Sequence, residues 1–396
     1  MQKKFFFAIL IFFLSASLLS HQRSESYSKV NIENEENHKK ATIEFSIQTS
    51  VLQRLNLNFT QDWEKEFTEE VINNFKLSHN CQIRKTPFLK SSFSTGYVTL
   101  FWMTDCDTEE IEINFNLFFE KDSSHTHIAT FTIDSEAKPE KVFTLSDRSW
   151  KETDKKTEET SLLKSFQDYF NLGFNHILSG FDHLAFLLAL LLLNLSLKRL
   201  ILIVTGFTIG HSITLVLGAV DMIKPASQLV EALIGYSIVI IAIETVSSIT
   251  NFHKTYNRTL IYLSCLLLIF FTLFGYSKFL IGLAGISIFS YCYLSLISIH
   301  KDFSITFVVT CLFGLIHGFG FAGNLASIGL MEGRLLPAIL GFNLGVEFGQ
   351  ILVVFILALL LYYLNKFLNK NIDNLRVYLA SGLACVGTFW FLERLL

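Results

Sequence analysis

The chain has 396 residues, 51% of them hydrophobic and 17% charged, with a net charge of −3. No basic tract accompanies that balance, which argues against a nucleic-acid partner, and a mean hydropathy of +0.43 argues against an ordinary soluble protein. The apolar residues concentrate after about residue 170, so composition predicts one polar domain followed by one membrane domain.

Residues 1–20 read as a secretory signal peptide. Lys3 and Lys4 form a charged start, Phe5 to Leu14 a short apolar stretch, and Ser15-Ala16-Ser17 a small-residue cleavage region. The shortness of the apolar stretch favours cleavage over a retained anchor. Residues 22–150 then form an extracytoplasmic β-rich domain. Its first part, 22–40, is polar and acidic and is expected to be disordered. Alternation of polar and apolar residues at 42–48, 97–102, 111–117 and 128–133 predicts a small β-sandwich, with one amphipathic helix over Asp62–Leu77. Cys81 and Cys106 are the only two cysteines of this domain, and export predicts a disulfide between them. His125 and His127 would share one face of a strand, either as a weak metal pair or, the favoured expectation, as two solvated histidines. Residues 151–169 read as a charged linker.

Residues 170–396 predict a transmembrane helical domain, which makes the fold class a mainly α membrane protein with about eight spans behind a β-sandwich-like domain. The spans are 171–195, 199–219, 226–249, 258–275, 279–298, 303–325, 337–364 and 375–394. Cys265, Cys292, Cys311 and Cys385 lie singly within them as packing residues. With the first domain outside, the loops expected in the cytoplasm carry Lys198, Arg199, Lys254, Arg258, Lys301, Lys366, Lys370 and Arg376. The opposite loops and the C-terminus carry Lys224, Lys278, Arg334 and Arg394. Eight cations against four agree with the positive-inside rule.

Ionisable groups cost several kcal/mol in hydrocarbon and persist there only against protein, water or an ion. The first span carries His176, Asp182 and His183; as one helix it would put the two histidines on nearly one face, two turns apart. The second carries His211, with Thr208 and Ser212 near enough in sequence to hydrogen-bond it. The sixth carries His317 among four glycines, Gly314, Gly318, Gly320 and Gly323, an unwound or tightly packed segment. In the seventh, Asn343, Glu347 and Gln350 share a face. Glu231 lies near the outer end of the same layer, and Glu244 near the cytoplasmic end is either a relay or an interfacial residue. Imidazole plus carboxylate is the ligand set of a divalent transition metal. The candidate metal residues are therefore His176, Asp182, His183, His211, His317 and Glu347, supported by Glu231, Asn343, Ser212 and Gln350.

Three motifs carry a resemblance. They are Gly173-Phe174-Asn175-His176 through Gly180-Phe181-Asp182-His183, then Gly210-His211-Ser212, then His317-Gly318-Phe319 with Asn343 and Glu347. At these positions the chain resembles the HupE/UreJ family of bacterial membrane proteins, in the branch with an extracytoplasmic N-terminal domain. Simpler members carry proline after the first histidine, where Ile177 stands here. The resemblance implies a secondary permease for nickel or cobalt in the bacterial inner membrane.

The leading reading is a permease whose substrate is Ni, Co or Zn, with no organic cofactor. Its surroundings are the lipid bilayer, the metal ion and a periplasmic partner for residues 22–150. Two alternatives stand beside it: an intramembrane zinc-dependent hydrolase, which lacks an HExxH motif, and a metal-sensing or structural protein whose exported domain binds a partner.

Overall fold

In the computed structural model the described residues are 24–35, 38–54, 62–78, 80–92, 97–123, 125–152, 158–220, 222–223, 227–250, 280–299, 303–328, 332–368 and 372–395, with scattered positions between 259 and 273. The signal-peptide reading of residues 1–20 and most of the predicted span 258–275 lie outside them.

Period-two burial builds the N-terminal domain. Strands β1 (Glu25–Asn34), β2 (Lys39–Gln48), β4 (Cys81–Ser92), β5 (Tyr97–Cys106), β7 (Thr126–Ile133) and β8 (Glu136–Phe143) form one sheet in the order β4-β5-β2-β1-β7-β8. Strands β3 (Phe75–Leu77), β6 (Glu112–Phe115) and β9 (Ser149–Lys151) form a second, three-stranded sheet. Aromatic pairs close the space between them: Phe131 stacks on Trp150 at 3.9 Å, and Phe75 meets Trp102 edge-on at 5.5 Å. Helix α1 (Thr49–Arg54) follows β2. Helix α2 (Trp63–Asn74) lies within the predicted helical stretch and turns Phe67 and Val71 inward. Cys81 and Cys106 oppose each other in register and are joined by a disulfide.

Two expectations for this domain are corrected. Residues 25–34 are not disordered: β1 lies between β2 and β7, with Tyr27, Val30 and Ile32 buried. Nor are His125 and His127 solvated. Both are buried, and they alternate with the β1 serines in a ladder. Ser24 Oγ is 2.5 Å from Asp122 Oδ2 and 2.7 Å from His125 Nδ1; Ser26 Oγ is 2.9 Å from His125 Nε2 and 2.8 Å from His127 Nδ1; Ser28 Oγ is 2.9 Å from His127 Nε2. Strand β1 is polar because its hydroxyls are satisfied by rings a hundred residues away, a pairing that composition does not reveal.

Burial, reinforced by the neighbouring His125, holds the His127 imidazole well below its ordinary pKa. A buried neutral histidine stabilises the fold above the unfolded value of about 6.5 and loses that contribution as pH falls below it. Amide protection of β1 and β7 in the full-length protein is therefore expected to weaken between about pH 7 and pH 5. Hydrogen exchange checks this, and protection that stays flat with pH would contradict it.

The helical domain consists of α3 (Glu158–Ser179), α4 (Phe181–Leu192), α5 (Leu197–Ala219), α6 (Ser227–Thr250), α7 (Leu280–Ile299), α8 (Phe303–Ile328), α9 (Glu332–Leu368) and α10 (Ile372–Leu395). The last six are each long and apolar enough to cross a membrane, and α3 with α4 passes as a seventh span only if that bent pair counts as one. The expected straight first span is thus corrected to two helices meeting at 69° across Gly180. No proline is needed for this bend. A side chain at Gly180 would press on His183 Nδ1 at 2.7 Å and on the His176 carbonyl oxygen at 2.9 Å.

Glycines sew the helices into pairs. A methyl at Gly210 or Gly314 would strike the opposing backbone between α5 and α8, and one at Gly173 or Gly345 would do so between α3 and α9. Gly235 and Gly387 face each other between α6 and α10. Close backbone approach supplies dispersion contact where lipid removes most of the hydrophobic driving force. The glycine-rich stretch around His317 is therefore tightly packed helix rather than unwound chain. At the other end of α4, Arg376 donates to the Leu192 carbonyl from Nε (2.8 Å) and Nη2 (2.6 Å).

The N-terminal domain rests on these helices. Tyr27 and Ile128 join the apolar core that contains Tyr169 and Leu172, and Ser165 Oγ donates to Glu140 Oε1 at 2.5 Å. Burial raises the Tyr97 phenol well above its ordinary pKa, opposed by a hydrogen bond from Gln48, with Glu25 and Glu231 adding to the rise.

Candidate functional site

The α3–α4 bend brings together what a straight helix would have stacked. His176 ends α3 and Asp182 opens α4, so an imidazole lies at the negative end of one helix dipole and a carboxylate at the positive end of the next. The His176 and His183 rings are 4.8 Å apart between centroids. His317 of α8 is 5.1 Å from His183, and His211 of α5 is 6.4 Å from His176. His183, His211 and His317 are buried, while His176 is half-buried at the rim. Phe207 stands 4.9 Å from His317 and 6.2 Å from His211, and Phe342 stacks on His211 at 6.0 Å, giving the cluster apolar walls.

Hydrogen bonds fix which nitrogen of each buried ring carries the proton. His183 Nδ1 is 3.0 Å from Asp182 Oδ1 and donates to that carboxylate. Asn343 Nδ2 donates to the Ile339 carbonyl at 2.9 Å, which leaves its Oδ1 to accept from His211 Nδ1 at 3.4 Å. The Ser237 hydroxyl donates to the Ile234 carbonyl at 2.7 Å, so Ser237 accepts from His317 Nε2 at 3.1 Å. The remaining nitrogens, His183 Nε2, His211 Nε2 and His317 Nδ1, are buried and have no hydrogen-bond partner. Each is then a buried, unpartnered lone pair on a ring held in orientation by a polar neighbour on its far side. That is the chemistry a neutral imidazole ligand needs. Among the described residues, however, no group of three His, Cys, Asp or Glu side chains already stands in a metal-holding arrangement.

Other expected residues lie elsewhere. Glu347 of α9 accepts from Thr205 Oγ1 at 2.6 Å and also contacts the Thr208 hydroxyl, which is 3.0 Å from Gln350 Oε1. Glu347 and Gln350 thus form a second polar group with the α5 threonines, one turn along α9 from the Asn343 that bonds His211. Ser212 and Thr208 do not bond His211; the Ser212 hydroxyl donates to the Thr208 carbonyl at 2.7 Å. Glu244 is buried and accepts from Tyr293 at 2.5 Å, well along α6 from Glu231.

Two residues were missed from the sequence. Ser237 is one of several serines in apolar helices, and nothing local marks it. Arg394, counted as a terminal charge, has a side chain only 11% exposed. Its Nη1 donates to the Glu231 carbonyl at 3.0 Å, and its guanidinium lies 3.5 Å from Asp182 Oδ2. Its position in the last turn of an apolar helix was the available signal.

Membrane-length helices that enclose ionisable side chains define a multi-pass membrane protein. The chain belongs to the HupE/UreJ protein family, whose model matches residues 152–277 and 259–394, more than half its length. The family is one of nickel/cobalt-type metal transporters rather than enzymes, which sets aside the hydrolase reading. No individual curated protein matches the chain.

Proposed function

We propose that the protein is a secondary permease for a divalent transition metal, nickel or cobalt, and that the ion passes through the cluster of His183, His211 and His317. One observation carries this reading: three buried imidazoles each have one nitrogen held by a neighbour and the other unpartnered. Neutral nitrogen donors suit these ions. Because the rings are near one another but not in ready coordination, binding draws them together. The α3–α4 bend is the natural place for that adjustment, since discontinuous helices commonly form transporter sites.

Asp182 acts from behind His183, orienting it and adding negative charge, and His176 meets the ion first at the half-exposed rim. Glu347 balances charge or carries a counter-transported proton. Residues 22–150 face the extracytoplasmic side of the bacterial inner membrane over the outer end of the path, in keeping with the distribution of Lys and Arg among the loops. A periplasmic partner would meet the chain through this domain.

The test is uptake of Ni²⁺, Co²⁺ and Zn²⁺ by liposomes containing the full-length protein. Flux of at least one ion above protein-free vesicles is expected. Equilibrium binding without flux would overturn the permease reading in favour of a metal sensor.

A further inference from the structure

We propose that Arg394 is a tethered competitor cation that sets how loosely the site holds its ion. The inference rests on the permease reading above. The observation behind it is a guanidinium where an exposed C-terminal charge was expected. Both Nη atoms lie 3.5 Å from Asp182 Oδ2, and the guanidinium carbon is 5.6 Å from the centre of the Trp390 ring. Asp182 divides its two oxygens. Oδ1 takes the backbone N–H of His183 at 2.9 Å and its ring nitrogen at 3.0 Å, while Oδ2 faces Arg394.

The carboxylate thus stands between a permanent cation and the imidazole whose far nitrogen is unpartnered. Arginine does not deprotonate in proteins, so its charge is present whatever the state of the histidines. A divalent ion arriving at His183 Nε2 draws on the same carboxylate charge that Arg394 already uses. Both side chains are almost wholly buried, with side-chain exposures of 11% and 1%, so solvent screens their competition weakly. The Glu231 carbonyl offers the guanidinium a second hold at 3.0 Å, so Arg394 can yield on Asp182 without being left unpaired. A transport site must bind well enough to admit an ion and weakly enough to release it. A built-in cation on the supporting carboxylate provides the second property.

The sign of the effect separates this role from a structural one. If Arg394 only braced α10 against α4 and α6, its removal would loosen the site and weaken binding. If it competes, removal tightens binding. Full-length protein in nanodiscs would be titrated with Ni²⁺, Co²⁺ and Zn²⁺, and dissociation followed by rapid chelation. Arg394→Gln is expected to bind at least about tenfold more tightly and to release more slowly, while Arg394→Lys, which keeps the charge, stays near the wild-type affinity. In an Asp182→Asn background, Arg394→Gln should give no further tightening. Should Arg394→Gln fail to fold, Arg394→Met, which keeps the stem on Trp390, is read in its place.

Binding by Arg394→Gln that is unchanged or weaker, in protein with a normal thermal transition, overturns the proposal and leaves the permease reading standing. A wild-type protein that binds none of the three ions overturns both.

Discussion

Replacing His317 with alanine is expected to weaken divalent-metal binding by more than about 100-fold, measured at equilibrium in full-length protein. Loss of a donor nitrogen should exceed the roughly 10- to 100-fold cost of losing a group that only orients a ligand. His183→Ala and His211→Ala should match it, because each ring offers one unpartnered buried nitrogen. Asp182→Asn, Ser237→Ala and Asn343→Ala should fall within the smaller range, since these side chains bond the opposite nitrogen of each ring. Glu347→Gln should behave differently again. Its carboxylate is engaged by Thr205 and Thr208 rather than by an imidazole, so binding should hold near the wild-type level while liposome flux falls. The ordering is the test. Six equal losses would mean that the helices are simply disturbed, and a loss of binding in Glu347→Gln comparable to that in His317→Ala would place the carboxylate among the ligands.

The histidines and carboxylates proposed for the site could be picked out of the sequence as candidates because hydrocarbon makes such residues expensive anywhere without a purpose. Their arrangement was less so. The spacing of His176 and His183 reads as one helix face, and only the break at Gly180 sets the two rings edge to face. Gly180 is needed for space against His183 and the His176 carbonyl, a demand that arises only once the chain has bent. The proton positions depend on Ser237, Asn343 and Asp182, and two of these come from helices far along the chain from the rings they hold. Arg394 escaped because a cation two residues from the C-terminus reads as a solvated end. In the N-terminal domain, the alternating strands were visible where one face is apolar. Strand β1 was not, because serines fill half of its buried face and their partners are His125 and His127. In each miss the sequence pattern was sound as local chemistry, and a distant contact decided the outcome.

Gly314→Val is expected to disrupt the helical domain, whereas Gly285→Ala should be harmless or slightly stabilising. The two glycines lie in helices of similar composition, and intrinsic propensity favours replacing both, since glycine costs about 1 kcal/mol relative to alanine within a helix. Their surroundings differ. A Cβ at Gly314 of α8 would run into the Phe207 carbonyl of α5, whereas one at Gly285 of α7 meets nothing within 4 Å. Overpacking usually costs about 1–3 kcal/mol where side chains can give way; here the obstacle is backbone, so the helices must separate and the cost should reach or exceed the top of that range. Separation also moves His211 and His317, which lie on the two helices that this seam joins. Gly314→Val should therefore lower the thermal transition in detergent and abolish metal binding together. Gly210→Val should repeat that result from the other side of the seam, because its Cβ would meet the Cys311 carbonyl. Thermal melting and equilibrium binding on the same samples check the prediction. A Gly314→Val protein that melts like the wild type would show that α5 and α8 do not meet backbone to backbone, and the grouping of His211 with His317 would fall with it.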